Sequence, residues 1–269
     1  MIVNGKAIAE EILASVSVHV DQIAQRLVVR AIVIQPSAAT ESYLRIKQKR
    51  ALEAGMDFEL IRMENDATEA DILHKIALPG ASSIIVQLPL PPNMNTARIL
   101  DSIPLSQDAD VLSLQAYERF QQGVDGALLP PVVGAVKEIF ERSNTLVKNK
   151  KAIVVGRGRL VGEPVALWLR QQGAEVTILT KEDGDLHQLL QAEIIISGAG
   201  QGSLIKPEHL TPGVVLIDAG TSESGGAIVG DADPTCAEIA SVFTPVPGGV
   251  GPIAVACLFK NVLGLGKAW

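Results

Sequence analysis

Apolar positions in the first half of the chain follow helical and strand periods in turn. Between positions 4 and 25, Ile8, Ile12 and Val16 recur at helical spacing, which predicts an amphipathic helix. The β-branched run from Val28 to Ile34 predicts a strand. Further helices are predicted at 41–54 and 67–76, and further strands at 57–63 and 83–87. This alternation predicts a parallel sheet with crossover helices.

The same alternation restarts after the prolines at 130 and 131. Strands are predicted at 152–155, 174–180, 194–197 and 214–218, and helices at 134–141, 163–172, 184–191 and 253–263. We therefore expect two α/β domains flanking a cleft, the second with a Rossmann-type parallel sheet. The expected domains are residues 1–129, completed by a C-terminal helix at 252–269, and residues 130–251.

Composition narrows the class of protein. Hydrophobic residues make up 47% of the 269 positions and aromatic residues only 3%, as expected for aliphatic strands buried under helices. The net charge of −7 argues against nucleic acid or an anionic membrane surface as a partner. No apolar run could span a bilayer, residues 1–6 lack the order of a signal peptide, and Cys236 and Cys257 lack metal spacing. We expect a soluble cytoplasmic protein without a metal site.

A glycine-rich turn follows the predicted strand at 152–155 and leads into a helix. Its glycines would let backbone amides approach a pyrophosphate at the helix N-terminus, although a plain tight turn could share this pattern. The candidate cofactor-binding residues of the turn are Gly156, Arg157, Gly158, Val161, Gly162 and Pro164.

The next strand ends in residues that bear on the choice of dinucleotide. Thr180 and Lys181 complete the candidate cofactor site. Lys181 and Arg157 favour the 2′-phosphate of NADP, whereas Glu182 and Asp183 suit the free ribose hydroxyl of NAD. NADP is the expected cofactor, with NAD as the alternative.

Three sites in the first half carry candidate chemistry. Tyr43 and Lys47 lie four residues apart and share a helix face, where burial would suit the lysine to proton transfer; the alternative is an exposed lysine beside a half-buried tyrosine. Gln87 ends a buried strand, where α/β sheets place ligand contacts. Either Asp108 or Asp110 could bind a polar heterocycle or cap the following helix.

The stretch from Thr244 to Pro252 has three prolines, three glycines and no charge. This composition argues against a regular helix or a central strand. We interpret it as a shaped loop that allows a ligand to approach the main chain, with a simple structural turn as the alternative.

Together these motifs identify a family. Tyr43-x-x-x-Lys47, Val86-Gln87-Leu88-Pro89-Leu90-Pro91, Asp108-Ala109-Asp110, the Gly156 turn, Gly230-Asp231-Ala232-Asp233 and Pro247-Gly248-Gly249-Val250-Gly251-Pro252 occur in one order. The chain resembles the bifunctional methylenetetrahydrofolate dehydrogenase/cyclohydrolases, the FolD family, over essentially its whole length. The resemblance implies oxidation of 5,10-methylenetetrahydrofolate with NADP, then hydrolysis of the methenyl product to 10-formyltetrahydrofolate, in a homodimer.

The resemblance also implies roles for individual residues. Lys47 would be the central catalytic group, Gln87 would hold and tune it, Tyr43 would stack on the folate, and Asp110 would bind the pterin. The implied substrate-binding set is Tyr43, Gln87, Leu88, Asp110, Pro247, Gly248 and Gly249.

The chain departs from the family pattern at four places. Val111 stands where a glycine is usual, Leu129-Pro130-Pro131-Val132 replaces Pro-Cys-Thr-Pro, Gly158 replaces a serine, and Thr180-Lys181 replaces a His-Ser pair. A monofunctional cyclohydrolase and a non-catalytic folate- or nucleotide-binding protein therefore stay open. A short-chain dehydrogenase is excluded, because in that family the glycine-rich turn precedes the Tyr-x-x-x-Lys pair.

Overall fold

The computed structural model describes residues 1–224 and 226–266. Internal contacts divide the chain into two compact units. The first unit comprises Glu10–Pro131 and the residues from Val255 onward, and the second comprises Met1–Ala9 and Val132–Ala254. None of the helices in the described residues is both long and apolar enough to cross a membrane.

The N-terminal residues belong to a different unit from the one expected from the sequence. Ile2 forms a parallel bridge with Phe243, and the Val3 amide donates to the Phe243 carbonyl at 2.8 Å. Backbone pairing therefore places residues 1–9 in the second unit, whereas the expected division assigned them to the first.

The first unit is built on a parallel three-stranded sheet of order β2-β1-β3. Its elements are α1 (Gly5–Val20, which starts in the second unit), β1 (Val28–Ile34), α2 (Ala38–Glu53), β2 (Asp57–Met63), α3 (Glu69–Ala77), β3 (Ser83–Val86), α4 (Thr96–Asp101) and α5 (Leu114–Gln121). Ile32, Ile84 and Ile99 are buried together in its core. The β-branched residues of β1 fit this position, because the central strand is covered on both faces.

The second unit has a parallel five-stranded sheet of order β10-β7-β6-β4-β5. Its elements are α6 (Pro131–Ser143), β4 (Lys151–Val155), α7 (Gly162–Gln171), β5 (Glu175–Leu179), β6 (Ile194–Ser197), β7 (Val215–Asp218), β8 (Ser222–Ser224), β9 (Ala227–Val229), β10 (Val242–Phe243) and α8 (Val250–Gly266). Strands β8 and β9 form an antiparallel hairpin, and α8 continues into the first unit. The chain order reverses between β4 and β6, which is the ligand-binding position of a Rossmann-type sheet. The predicted α/β class and Rossmann-type second sheet are confirmed.

Several local predictions need correction. The helix predicted at 184–191 is a 3-10 helix over Leu186–Gln191. The stretch 244–252 is not irregular throughout, since α8 already begins at Val250. Pro252 fits there because the first turn of a helix has no intrahelical partners for its N–H groups.

The loop before α5 is held by side chains within the first unit. Asp108 is buried and accepts hydrogen bonds from the Leu112 amide and from the amide and hydroxyl of Ser113. Asn261 of α8 donates to the Ala109 carbonyl at 2.9 Å. Between these anchors, Val111 adopts φ 57° and is only 2% exposed. A β-branched residue rarely enters this left-handed region, so the surrounding contacts impose it.

A buried arginine joins β1 to α3. Arg30 is 4% exposed and donates to Glu59 at 2.7 Å. Its other guanidinium nitrogens donate to the Leu78 and Pro79 carbonyls, at 2.6 and 2.9 Å. These bonds satisfy carbonyls beyond the C-terminus of α3, where a cation also complements the helix dipole.

Replacing Arg30 with methionine should lower the free energy of unfolding by about 3 kcal/mol, because Glu59 and the two carbonyls would lose a buried, charged donor. The control is Arg26→Met, which removes an exposed ion pair with Asp57 and should cost less than about 1 kcal/mol. Urea titrations of both variants measure the difference. Equal losses would contradict the role assigned to Arg30.

Val111 offers a second test of stability. Both a glycine and an alanine there lose the buried methyl groups of the valine, but only the glycine removes the Cβ contact that disfavours the left-handed region. We expect Val111→Gly to be more stable than Val111→Ala by about 1 kcal/mol, the reverse of the usual order in regular structure. Urea titration of the pair decides the order, and a more stable alanine variant would show that the loop relaxes.

Candidate functional site

The Tyr43 and Lys47 pair lies on α2, which Ser37 caps by accepting from the Thr40 amide. Lys47 is buried, with only 6% exposure, whereas Tyr43 is 38% exposed. The Lys47 Nζ lies 5.3 Å from the centre of the Tyr43 ring, within the range of a cation–π contact. The alternative of an exposed lysine is therefore wrong.

Gln87 meets this lysine from the end of β3. Its Oε1 accepts from the Lys47 Nζ at 3.3 Å, and its Nε2 donates to the Leu88 carbonyl at 2.9 Å. The bond to Leu88 occupies the donor end of the amide, so the oxygen is presented to the ammonium. Leu88 thus acts on this site through its backbone.

The sequence left open whether Asp108 or Asp110 binds a polar heterocycle or caps the following helix. In the structure the two aspartates have different partners. Asp108 supports the turn before α5, whereas Asp110 is the aspartate whose charge interacts with Lys47 and Tyr43. Burial raises the pKa of Asp110; the charge of Lys47 opposes this rise, and that of Asp108 adds to it. Desolvation, with a further contribution from Asp110, raises the pKa of Tyr43 to about 12. Tyr43, Lys47 and Gln87 are thus in direct contact, and Asp110 lies within electrostatic range of Lys47 and Tyr43.

The glycine-rich turn of the second unit is packed backbone against backbone. Gly156 has φ 96°, and a Cβ atom added there would lie 2.7 Å from the Gly198 carbonyl oxygen. A Cβ atom at Gly162 would lie 2.1 Å from the Gly156 oxygen, whereas one at Gly158 would meet nothing within 4 Å. Gly156 and Gly162 thus satisfy the requirement of the predicted turn for glycine, while Gly158 has room for a side chain.

Helix α7 begins directly after this turn. Its N-cap residue, Val161, provides no side-chain hydrogen bond, and Pro164 is buried in its first turn. The first amides and the positive end of the helix dipole suit a phosphate group. Arg157 is exposed beside this end of the sheet. These features fit a dinucleotide.

The residues after β5 form a compact turn. The amide and hydroxyl of Thr180 donate to the Asp183 carboxylate at 2.7 and 2.9 Å, and Lys181 is exposed. These hydrogen bonds to Thr180, with a smaller contribution from Arg157, lower the pKa of Asp183. A positively charged Lys181 and a negatively charged Asp183 therefore lie near the end of β5, as the sequence predicts.

The loop after β10 is also tightly shaped. Gly248 has φ 108°, and the Gly249 amide donates to the Pro245 carbonyl at 2.7 Å. The Val246-Pro247 peptide bond of this loop is cis. The Leu88-Pro89 bond, which follows β3 in the first unit, is also cis. A Cβ atom at Gly5 would lie 1.9 Å from the Gly249 oxygen, so the start of α1 packs on this loop within the second unit.

Sequence reasoning missed the loop after β6. A Cβ atom at Gly198 would lie 2.5 Å from the Val161 side chain, so this loop lies against the glycine-rich turn. The signal was the Gly198-Ala199-Gly200 run directly after a buried strand. Within residues 1–224 and 226–266, no three metal-binding side chains cluster as a metal site.

Two family models match the chain. The model for the tetrahydrofolate dehydrogenase/cyclohydrolase catalytic domain matches residues 3–110, and that for the NAD(P)-binding domain matches residues 130–268. The bifunctional protein FolD of Brevibacillus brevis is 33% identical over 99% of this chain and 97% of its own length. Bifunctional protein FolD 2 of Arabidopsis thaliana is 32% identical over 97% of this chain and 94% of its own length.

Solved structures agree with these matches. The bifunctional FolD of Campylobacter jejuni has a TM-score of 0.95 and 27% identity, covering 100% of this chain and 99% of its own. The Trypanosoma brucei FolD, solved with NADP and an inhibitor, has a TM-score of 0.95 and 28% identity, covering 100% and 97%. The chain belongs to the tetrahydrofolate dehydrogenase/cyclohydrolase family.

Proposed function

We propose that this protein oxidises 5,10-methylenetetrahydrofolate with NADP and hydrolyses the methenyl product to 10-formyltetrahydrofolate. The observation that carries the proposal is the buried Lys47 ammonium, in contact with Gln87 and the Tyr43 ring. A family member without catalytic function would have no need to bury this charge, since burying a charge is costly. The same site favours the enzyme over the non-catalytic alternative.

In the oxidation, the glycine-rich turn would hold NADP, which would supply the acceptor for a hydride from the methylene carbon. Tyr43 supports the folate by stacking, and Asp110 accepts hydrogen bonds from the pterin, which a carboxylate can do with both oxygens. Pro247, Gly248 and Gly249 contribute a close, uncharged backbone surface to the substrate. Lys47 positions the one-carbon unit.

In the hydrolysis, the oxygen of water bonds to the methenyl carbon, one carbon–nitrogen bond of the ring breaks, and a proton is released. Lys47 transfers protons during this ring opening. An ammonium has three N–H donors, and the bond to Gln87 engages one of them. Gln87 thereby holds the lysine without neutralising it.

The cofactor site takes the dinucleotide on Gly156, Arg157, Gly158, Val161, Gly162 and Pro164, with Thr180 and Lys181 near the ribose. The cradle formed by the packing of Gly156, Gly162 and Gly198 supports this assignment. Arg157 and Lys181 favour NADP over NAD. The unit of Glu10–Pro131 and the residues from Val255 onward would serve the folate, and the unit of Met1–Ala9 and Val132–Ala254 the dinucleotide.

The family resemblance also supports a homodimer in the cytoplasm. The net charge of −7 is consistent with small-molecule substrates rather than nucleic acid or membranes as partners.

The decisive assay supplies methylenetetrahydrofolate with NADP and NAD in parallel, and measures methenyl hydrolysis separately. We expect reduction of NADP together with hydrolysis. Hydrolysis without reduction of either dinucleotide would select the monofunctional cyclohydrolase. Folate binding without either reaction would select the non-catalytic protein.

Lys47→Ala should lower the kcat of methenyl hydrolysis by about 10²–10⁴-fold, the range for loss of a general acid–base group. Lys49→Ala is the matched control, because Lys49 lies on the same helix but is exposed and pairs with Glu53. Its rate should stay within about twofold of the wild type. The decay of methenyltetrahydrofolate absorbance measures both, and unchanged hydrolysis in Lys47→Ala would refute the role.

Asp110→Asn should raise the KM for folate about tenfold, because a charged acceptor is replaced by a neutral one. Asp108→Asn should instead lower the free energy of unfolding, because the amide disrupts the buried bonds to Leu112 and Ser113. In the wild type, the raised pKa of Asp110 means that the carboxylate is lost as pH falls through that pKa. The KM should therefore rise on acidification in the wild type but not through this group in Asp110→Asn.

A further inference from the structure

The proposed function leaves unused a buried carboxylate of the second unit. Asp231 is fully buried, with 0% exposure, and belongs to the Gly230-Asp231-Ala232-Asp233 motif. Its backbone is anchored, since the Ile205 amide donates to the Asp231 carbonyl at 2.9 Å and the Asp233 amide donates to the Ile205 carbonyl at 2.8 Å. The backbone that carries the Asp231 side chain is therefore held by pairing with Ile205.

The carboxylate holds the loop after β6 by three hydrogen bonds. The Ser197 hydroxyl and the Ala199 amide donate to Oδ2 at 2.6 and 2.7 Å, and the Gln201 amide donates to Oδ1 at 2.8 Å. Both oxygens are engaged, and every donor comes from residues 197–201. This loop cannot shift without breaking a buried, charge-assisted bond.

The loop held by Asp231 is the one that packs on the glycine-rich turn. Gly198 contacts Val161 and lies beneath Gly156, at the reversal of strand order between β4 and β6. This is the position where open α/β sheets bind their ligands. A displacement of residues 197–201 would therefore be transmitted directly to the turn that meets the pyrophosphate.

A second carboxylate shares the interior beside Asp231. Asp218, at the end of β7, accepts from the Gly220 amide at 2.9 Å and from the Ala232 amide at 2.8 Å. Burial raises the pKa of Asp218 to about 6, against the hydrogen bond from Ala232 and with a further rise from the charge of Asp231. The loop that carries Gly220 is thus fixed against Asp231: a Cβ atom at Gly220 would lie 2.1 Å from the Asp231 Cγ.

We propose that Asp231 is a positioning residue for dinucleotide binding, which acts by holding residues 197–201 against the glycine-rich turn. Its carboxylate accepts hydrogen bonds from residues 197–201, so its effect on the turn passes through that loop. This inference rests on the proposed function, because it assumes that the turn binds NADP.

The test uses two variants that disturb the same carboxylate in different ways. Asp231→Asn keeps the shape but directs an amide donor at a backbone N–H group. Gly220→Ala keeps every hydrogen-bonding group but places a methyl group against the carboxylate. The matched control is Asp233→Asn, which changes the other acid of the motif at a helix N-cap, where asparagine is equally suited.

Calorimetric titration with NADP measures the dissociation constant, and methenyl hydrolysis provides an internal reference because it consumes no dinucleotide. We expect Asp231→Asn and Gly220→Ala each to raise the Kd for NADP about tenfold or more, with hydrolysis within about twofold of the wild type and Asp233→Asn unchanged. The KM for NADP should rise in parallel while the KM for folate does not.

Other outcomes separate the possible failures. A wild type that binds no dinucleotide would overturn the proposed function and this role together. A wild type that binds NADP, with both variants binding it equally well, would overturn the role of Asp231 alone. Loss of hydrolysis in parallel with NADP binding would also overturn it, since that pattern marks a general structural role.

Discussion

The close approach of backbone to backbone at the carboxyl ends of parallel strands is the constraint on which the second unit depends. Gly156, Gly162 and Gly198 each lie where a Cβ atom would overlap neighbouring atoms, at 2.7, 2.1 and 2.5 Å. Main-chain amides can reach a pyrophosphate only if side chains are absent from this edge. Such an edge has few side chains of its own to hold it, and a buried carboxylate takes that part where Asp231 accepts hydrogen bonds from residues 197–201.

The first unit depends on a different constraint, because the Lys47 ammonium of its site is buried away from water. Lys47 is buried, and its partners are a neutral amide, an aromatic face and the nearby charge of Asp110 rather than a direct ion pair. A close carboxylate would neutralise the ammonium in place, whereas Gln87 leaves its charge available to a substrate. The arrangement is costly in desolvation, which is the reason to interpret it as functional.

Elements dominated by one period were predictable from the sequence. The β-branched runs of β1 and β6 have the predicted bounds, and Gly55 ends α2 near the expected position with φ 77°. The short helix α4 was missed and α5 was expected only as a helix of unstated bounds after Asp110, because six and eight residues hold too few repeats to show a helical period. Their caps, Asn95 and Ser113, were the available signals.

The candidate site was likewise predictable only where a helical or strand period fixes the position of a residue. Helical spacing alone places Tyr43 and Lys47 on one face, but the separation of roles between Asp108 and Asp110 depends on amides that reach Asp108 only in the folded loop. Val111 could not be predicted to adopt a positive φ, because it is a buried β-branched residue in the left-handed region. The anchors on either side, Asp108 and Asn261, impose a conformation that local preference opposes. The loop, rather than the residue type at position 111, therefore sets the backbone conformation next to Asp110, whose charge interacts with that of Lys47.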